Sequence, residues 1–138
     1  RVKLKNAVFD SFALLSFIFN ESDADVVADY FKKALVDKKR IFISTVNWSE
    51  VMYRVIRSQG RNAWKTVQSH LHDLPIEIVD ADLALSEAAA DFKADHKMSL
   101  ADAYAAALTK IKNAELVSGD PEFKPFEKVL KGIVWLTQ

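Results

Sequence analysis

Cysteine is absent from this sequence and glycine is scarce, with three glycines among 138 residues. The lack of cysteine excludes disulfides, thiolate catalysis and cysteine-ligated zinc or iron–sulfur sites. It is compatible with a reducing cytoplasm, where we expect the protein. The glycines form no G-x-G-x-x-G, no G-x-S-x-G and no Walker loop. The common nucleotide-binding and serine-hydrolase motifs are therefore excluded.

An excess of charge is also missing, because 19 basic residues balance 19 acidic ones. The chain is not a polycation, so any polyanion must bind at a local patch. Half of the residues are hydrophobic, and no linker or repeat interrupts the chain, so residues 1–138 are predicted to form a single domain. Residues 1–19 superficially resemble a signal peptide, but Asp10 interrupts their apolar run, so we expect no membrane span.

Short apolar runs alternate with amphipathic segments along the chain. The runs predict strands, and hydrophobic residues at spacings of three and four predict helices. Such alternation is typical of an α/β layer fold with a mostly parallel central sheet. Strands are predicted within 6–10, 40–44, 75–79, 115–117 and 132–136, and helices over 11–22, 23–38, 45–60, 61–73, 81–96 and 99–110.

The hydrophobic spacing also predicts which helix residues face the core and which residues cap the helices. Ser44 or Thr45 is expected to cap the helix that runs toward Gly60, and Asp80 the alanine-rich helix that follows. In the helix after Ser44, the opposite, polar face carries Asn47, Glu50, Arg54 and Arg57. Inward-facing apolar positions are expected to include Val26, Leu35, Met52, Leu100 and Ile111.

Four acids lie at the ends of predicted elements: Asp10, Glu50, Asp102 and Asp120. Each has an ordinary explanation alone, as a helix cap, a first-turn charge or a turn residue. Sites in parallel sheets lie beyond the carboxyl ends of the strands, so the four side chains can converge there. Because two like charges about 4 Å apart repel by roughly 4 kcal/mol at an effective dielectric near 20, converging carboxylates favour a divalent cation.

Oxygen ligands without cysteine or paired histidine suit Mg²⁺ or Mn²⁺ better than zinc. His70 and His72 are two residues apart and point to different sides of a helix. His96 lies among alternating charges, so all three histidines are predicted at the surface. The histidines therefore offer no competing metal site.

Four motifs resemble those of the PIN domain family, and most closely those of the ribonuclease toxins of VapBC-type toxin–antitoxin pairs. In chain order they are "VFDSFALL" (8–15), "STVNWSEVMYRV" (44–55), "SLADAYAAALTK" (99–110) and "LVSGDPEF" (116–123). The resemblance implies a three-layer α/β/α PIN-like fold. It also implies a metal-dependent endoribonuclease that acts on RNA as a toxin, forms a homodimer and is silenced by an antitoxin protein.

Carried over position by position, Asp10, Glu50, Asp102 and Asp120 resemble the catalytic acids that hold Mg²⁺ or Mn²⁺. The accompanying hydroxyls correspond to Ser11 and Ser118. The resemblance leaves open whether Glu50 or Asp102 orients the attacking water.

Several side chains near these motifs have two interpretations. Arg54 and Arg57 are candidates for weak attraction to RNA phosphates, with a solvated helix face as the alternative. Phe12 stands where relatives often have a small or polar residue, so packing or substrate approach is expected to differ there. Phe12, Phe17, Phe19 and Trp64 are candidates for the core, with a dimer or antitoxin surface as the alternative.

Other functions remain open at this stage. The main alternative is a PIN-like scaffold whose acids bind metal weakly or structurally and whose role is protein interaction. A phosphatase lacks support because no D-x-D follows the first strand, and a receiver domain because no adjacent pair of acids opens the chain.

Overall fold

The structure, a computed structural model, describes residues 6–127, 129–130 and 132–136. Its elements alternate between strands and helices, and a short 3₁₀ helix precedes the last strand. The chain order is β1 (Ala7–Phe9), α1 (Ser11–Ile18), α2 (Ala24–Asp37), β2 (Ile41–Ser44), α3 (Thr45–Gln59), α4 (Arg61–His72), β3 (Ile76–Val79), α5 (Leu83–Asp95), α6 (Leu100–Ile111), β4 (Glu115–Ser118), the 3₁₀ helix (Pro121–Phe126) and β5 (Ile133–Trp135).

The five strands form one sheet in the order β3-β2-β1-β4-β5, and every pair of neighbours is parallel. The prediction of an α/β fold with a mostly parallel sheet is therefore confirmed. From β1 the chain crosses to β2 and β3 on one side, whereas β4 and β5 lie on the other side. The strand order thus reverses next to β1, and such a switch point opens a crevice at the carboxyl ends of the strands.

Alternate residues of the strands contact opposite layers of helices, as the period of two requires. Phe9 and Ile43 pack in one hydrophobic cluster with residues of α1, α2, α3 and α4. Val8 and Phe42 pack in a second cluster with residues of α5 and α6. The sheet therefore lies between two helical layers, and the three-layer α/β/α arrangement is confirmed.

The alanine-rich helix α6 lies close to its neighbours because its buried face has little bulk. Ala103, Ala105 and Ala106 are completely buried, and Ala107 nearly so. The side-chain nitrogen of Asn47 in α3 lies 3.2 Å from the carbonyl oxygen of Ala101. The small alanine side chains therefore allow α6 to pack close to α3.

Five predicted inward positions are instead exposed. A helix with a layer on one side only buries a narrow stripe, such as Val27 and Phe31 in α2, and positions beside that stripe stay in solvent. Two of the five, Leu100 and Ile111, are the first and last residues of α6. The exposed fractions are 40% for Val26, 72% for Leu35, 40% for Met52, 54% for Leu100 and 53% for Ile111.

Three further predictions are corrected or refined by the structure. Asp82, rather than Asp80, caps α5, because the Asp82 carboxylate accepts the Leu85 N–H at 2.9 Å. His96 lies at the surface as predicted but is half-buried, with the centroid of its ring 4.5 Å from the centroid of the Phe126 ring. Trp64 is buried in the core.

No helix within the described ranges is both long and apolar enough to cross a membrane.

Candidate active site

A cavity of about 490 Å³ opens at the carboxyl end of the sheet, beside the switch point. All four acids singled out in the sequence reach it, although they come from four separate parts of the chain. Its walls are formed by Asp10, Ser11, Phe12, Leu15, Phe19, Glu21, Glu50, Arg54, Asp102 and Asp120.

Asp10 links β1 to α1 at the bottom of this cavity. Its carboxylate caps α1 by accepting the Ala13 N–H at 2.9 Å, and its second oxygen accepts the hydroxyl of Ser118 at the end of β4. Burial raises the pKa of Asp10 to about 7, because an ionised carboxylate loses its hydration there. The bonds from Ser118 and Ala13 lower this pKa, whereas the charges of Asp120 and Glu50 raise it.

Asp102 enters the cavity from the first turn of α6. Its backbone N–H donates to the Ser99 hydroxyl at 3.1 Å, so Ser99 caps α6. Burial raises the pKa of Asp102 to about 8, and the Glu122 carboxyl and the charges of Asp120 and Asp10 raise it further. The Ser99 hydroxyl acts in the opposite direction. Asp102 therefore lies in the first turn of the helix that Ser99 caps and also belongs to the acidic cluster.

Asp120 completes the cluster from the loop after β4. Its backbone N–H donates to the Ser118 hydroxyl at 3.0 Å, and its carboxylate accepts the Glu122 N–H at 2.9 Å. Single carboxylate oxygens of Asp102, Asp120 and Glu122 all lie within 4.8 Å of one another. Glu122 was missed in the sequence, although its position two residues after Asp120 in the same turn could have indicated it.

Glu50 lies on the α3 side of the cavity and is held by two neighbours. Its carboxylate accepts the Ser11 hydroxyl at 2.5 Å and lies 3.5 Å from the Arg54 guanidinium. Among the ion pairs of the described residues, the Arg54–Glu50 pair is the one that involves any of the four acids. Arg57 does not line the cavity and instead covers the Tyr53 ring at 4.9 Å.

Asn47 supports the cavity from below, although the sequence places it on a polar helix face. It is 1% exposed, and its amide oxygen accepts the Ser44 hydroxyl at 2.6 Å. Its amide nitrogen lies 3.3 Å from the Ser11 hydroxyl and 3.2 Å from the Ala101 carbonyl. One side chain therefore joins α1, α3 and α6 beneath the acids. Its position three residues after the Ser44 cap is the only sequence signal for this role.

Replacing Asn47 with Ala is expected to lower the free energy of unfolding by about 2 kcal/mol, because buried polar partners lose their hydrogen bonds. Urea denaturation of the metal-free protein measures this change. Ser49→Ala is the matched control, since Ser49 is exposed on the same helix and its hydroxyl bonds to the carbonyl of Thr45. Equal unfolding midpoints for the Asn47 and Ser49 variants would show that this junction has no structural role.

The sequence profile of the PIN domain family matches residues 7–129, a range that contains all four acids. The chain belongs to the PIN domain family. The comparison with curated proteins gives no match. Family membership agrees with the resemblance that the four motifs indicate.

Solved structures with the same PIN fold come from toxin–antitoxin systems. VapBC2 from Rickettsia felis, bound to a DNA fragment from its promoter, has a TM-score of 0.73 and 15% identity, covering 96% of this chain and 98% of that chain. A toxin–antitoxin complex from Klebsiella pneumoniae has a TM-score of 0.68 and 22% identity, with coverages of 94% and 96%.

A third similar PIN structure is VapC20 from Mycobacterium tuberculosis, described as a sarcin–ricin loop cleaving toxin. Its TM-score is 0.67 and its identity 14%, with 87% of this chain and 94% of that chain covered. At such identities, the similarity establishes a shared fold over nearly the whole chain.

Proposed function

We propose that this PIN domain is a Mg²⁺- or Mn²⁺-dependent endoribonuclease, and that it acts as the toxin of a toxin–antitoxin pair. The observation that carries the proposal is the convergence of Asp10, Glu50, Asp102 and Asp120 on one cavity. Membership of a nuclease family and the fold shared with toxin–antitoxin proteins support it. A scaffold has no chemical need for four acids that repel one another when ionised.

The donor set fits a hard divalent cation. Asp102, Asp120 and Glu122 can each offer one oxygen to a common point, and Asp10 lies close enough to Asp120 and Glu50 for their charges to raise its pKa. Neutral carboxyls would be poor ligands, so binding must displace protons from Asp10 and Asp102. Such an ion, when bound, supplies Lewis acidity toward phosphate oxygens and makes a nearby water more acidic.

The remaining groups position RNA and the attacking water. Glu50 or Asp102 would accept a proton from that water and orient it, since both carboxylates face the cavity. The Ser11 hydroxyl fixes the Glu50 carboxylate in one orientation through its 2.5 Å hydrogen bond. Ser118 does the same for Asp10. Arg54 places a positive charge at the cavity, where it would attract an RNA phosphate.

The proposed biological setting rests on the solved structures that share this fold. Structures with this fold were solved as complexes of toxin and antitoxin, which supports an antitoxin protein as a partner of this chain. We also propose that residues 1–138 act as one domain, that the protein forms a homodimer and that it works in the cytoplasm.

The direct test is incubation of the purified protein with total tRNA and ribosomal RNA, with Mg²⁺, with Mn²⁺ or with a chelator. Cleavage into discrete fragments is expected with either metal and none with the chelator. Mapping the fragment ends then gives the cut site. Intact RNA under all three conditions, with calorimetry showing that Mg²⁺ still binds, would instead favour the scaffold function.

Arg54→Ala is expected to weaken RNA binding and to reduce the slope of log K against log salt by about 1, because one phosphate contact is lost. Binding is measured by fluorescence anisotropy in the Asp10→Asn background, which prevents cleavage. Arg57→Ala tests the second candidate, and exposed Lys65→Ala on α4 serves as the control. If the Arg54 and Lys65 variants show the same slope, Arg54 makes no phosphate contact.

A further inference from the structure

The cavity has an apolar half that the proposed chemistry does not use. Phe12, Leu15 and Phe19 line it from α1 and the residue that ends this helix. Their spacings of three and four place them on one side of the helix, above the acids. A hydrated metal ion and a phosphate have no use for such a wall. The surface that Phe12, Leu15 and Phe19 offer instead suits a group that is flat or apolar on the side that contacts them.

Phe12 is two residues after Asp10 in the chain, and Gly119 makes room for its ring. A Cβ at Gly119 would lie 2.7 Å from the tip of the Phe12 ring and 2.8 Å from the Leu136 carbonyl oxygen, which is closer than real side chains permit. The ring therefore fits between α1 and the loop that carries Asp120. Its half-exposed surface faces the same cavity as the four acids.

We propose that Phe12 is a stacking platform for one unpaired nucleobase beside the scissile phosphate. This inference rests on the proposed ribonuclease function and assigns a base-binding residue to it. A nucleotide matches the two halves of the cavity, because its phosphate is anionic and its base is flat and largely apolar on both faces. Arg54 supplies the positive charge for the phosphate, and the α1 wall supplies the surface for the base.

The platform selects RNA by structure rather than by base identity. Every base has a face that can stack on an aromatic ring, but a base within a duplex is already stacked on its neighbours. Single-stranded segments and loops present bases that can turn outward onto a side chain. Phe12 would therefore hold an unpaired base next to the cut, whatever the identity of that base.

The test compares Phe12→Leu with the wild type on two oligonucleotides made after the cut has been mapped. One is intact, and the other lacks a single base next to the cut, each flanking position being tried in turn. Phe12→Leu is expected to raise KM for the intact strand about tenfold with kcat within about twofold, in the range of base–aromatic stacking. Removing the base that stacks on Phe12 should also raise the KM of the wild type about tenfold, and it should leave the KM of Phe12→Leu unchanged.

Phe12→Trp keeps an aromatic face and should restore the low KM. Phe17→Leu is the matched control, because Phe17 lies on the same helix, packs on Phe31 at 5.2 Å between ring centroids and does not line the cavity. A 2-aminopurine base at the sensitive position gives a readout independent of activity. Its fluorescence should be quenched on binding to cleavage-inactive Asp10→Asn and less so when Phe12→Leu is added.

The outcomes separate this inference from the function on which it rests. If the wild type cuts RNA, and Phe12→Leu has the wild-type KM on both strands, the platform is rejected and the ribonuclease stands. An equal loss in Phe12→Leu and Phe17→Leu, with no dependence on the missing base, also rejects it and indicates a packing effect. If the wild type cuts no RNA, the proposed function and the platform both fail.

Discussion

Asp10→Asn is expected to abolish Mg²⁺-dependent RNA cleavage, with a loss greater than about 100-fold, because removal of even an outer-shell partner of a metal ligand costs roughly 10- to 100-fold. Asparagine can keep the cap, since its amide oxygen can accept the Ala13 N–H that Asp10 accepts at 2.9 Å. It cannot carry the negative charge that a divalent ion requires. The loss should therefore occur in a folded protein.

The same substitution is expected to stabilise the metal-free protein above neutral pH. Asp10 is buried beside Asp120 and Glu50, and a neutral amide removes both the desolvation and the repulsion of the charged form. RNA cleavage assays with Mg²⁺ measure the loss of activity, and urea denaturation in the presence of a chelator measures the gain in stability. Asp91→Asn, an exposed change on α5, is the control and should alter neither. Wild-type cleavage by Asp10→Asn would remove Asp10 from the site.

The sequence predicts the fold and the acids well because both depend on short-range patterns. The spacing of hydrophobic residues in strands and helices determines which residues face each layer. The parallel pairing of β1 with β4 then brings the carboxyl ends of these two strands side by side. Asp10 follows the end of β1 directly and Asp120 lies two residues after the end of β4, so their approach to each other requires no knowledge of side-chain packing. Asp102 was predictable as an acid in the first turn of this helix, and its place in the cluster follows from the alanines that bring α6 close.

Residues whose roles depend on tertiary contacts were not predictable. Asn47 has the spacing of a polar surface position, yet α1 and α6 cover it and it becomes the junction beneath the acids. His96 stands among charges in the sequence but packs on Phe126, which lies 30 residues further along the chain. Phe12 depends on the space beside Gly119, which helix periodicity does not reveal.

In the metal-free protein, the free energy of unfolding is expected to fall as the pH rises from about 4 toward 7. Asp10 has a pKa of about 7 in the folded state, whereas an aspartate in the unfolded chain has a pKa near 3.9. Between these values the folded state binds more protons than the unfolded state, so raising the pH favours unfolding. The stabilisation is complete below the unfolded pKa and is lost as the pH passes the folded pKa.

The expected slope is about 1.4 kcal/mol per pH unit within this window, or roughly 4 kcal/mol in all. Urea denaturation in a chelator at pH 4.5, 5.5, 6.5 and 7.5 measures it for the wild type and for Asp10→Asn. Other titrating groups are common to both proteins, so the difference between the two curves reports Asp10 together with its effect on the pKa of Asp102. Parallel curves would show that this carboxylate is ionised at neutral pH without a metal.

Added Mg²⁺ is expected to oppose this loss, because the ion binds the ionised carboxylates and stabilises the folded state. Its stabilising effect should therefore increase with pH and be smaller in Asp10→Asn at every pH. Calorimetry at pH 6.5 in two buffers of different ionisation enthalpy measures the protons released when Mg²⁺ binds. Proton release that is the same in the wild type and in Asp10→Asn would contradict a metal site that includes Asp10.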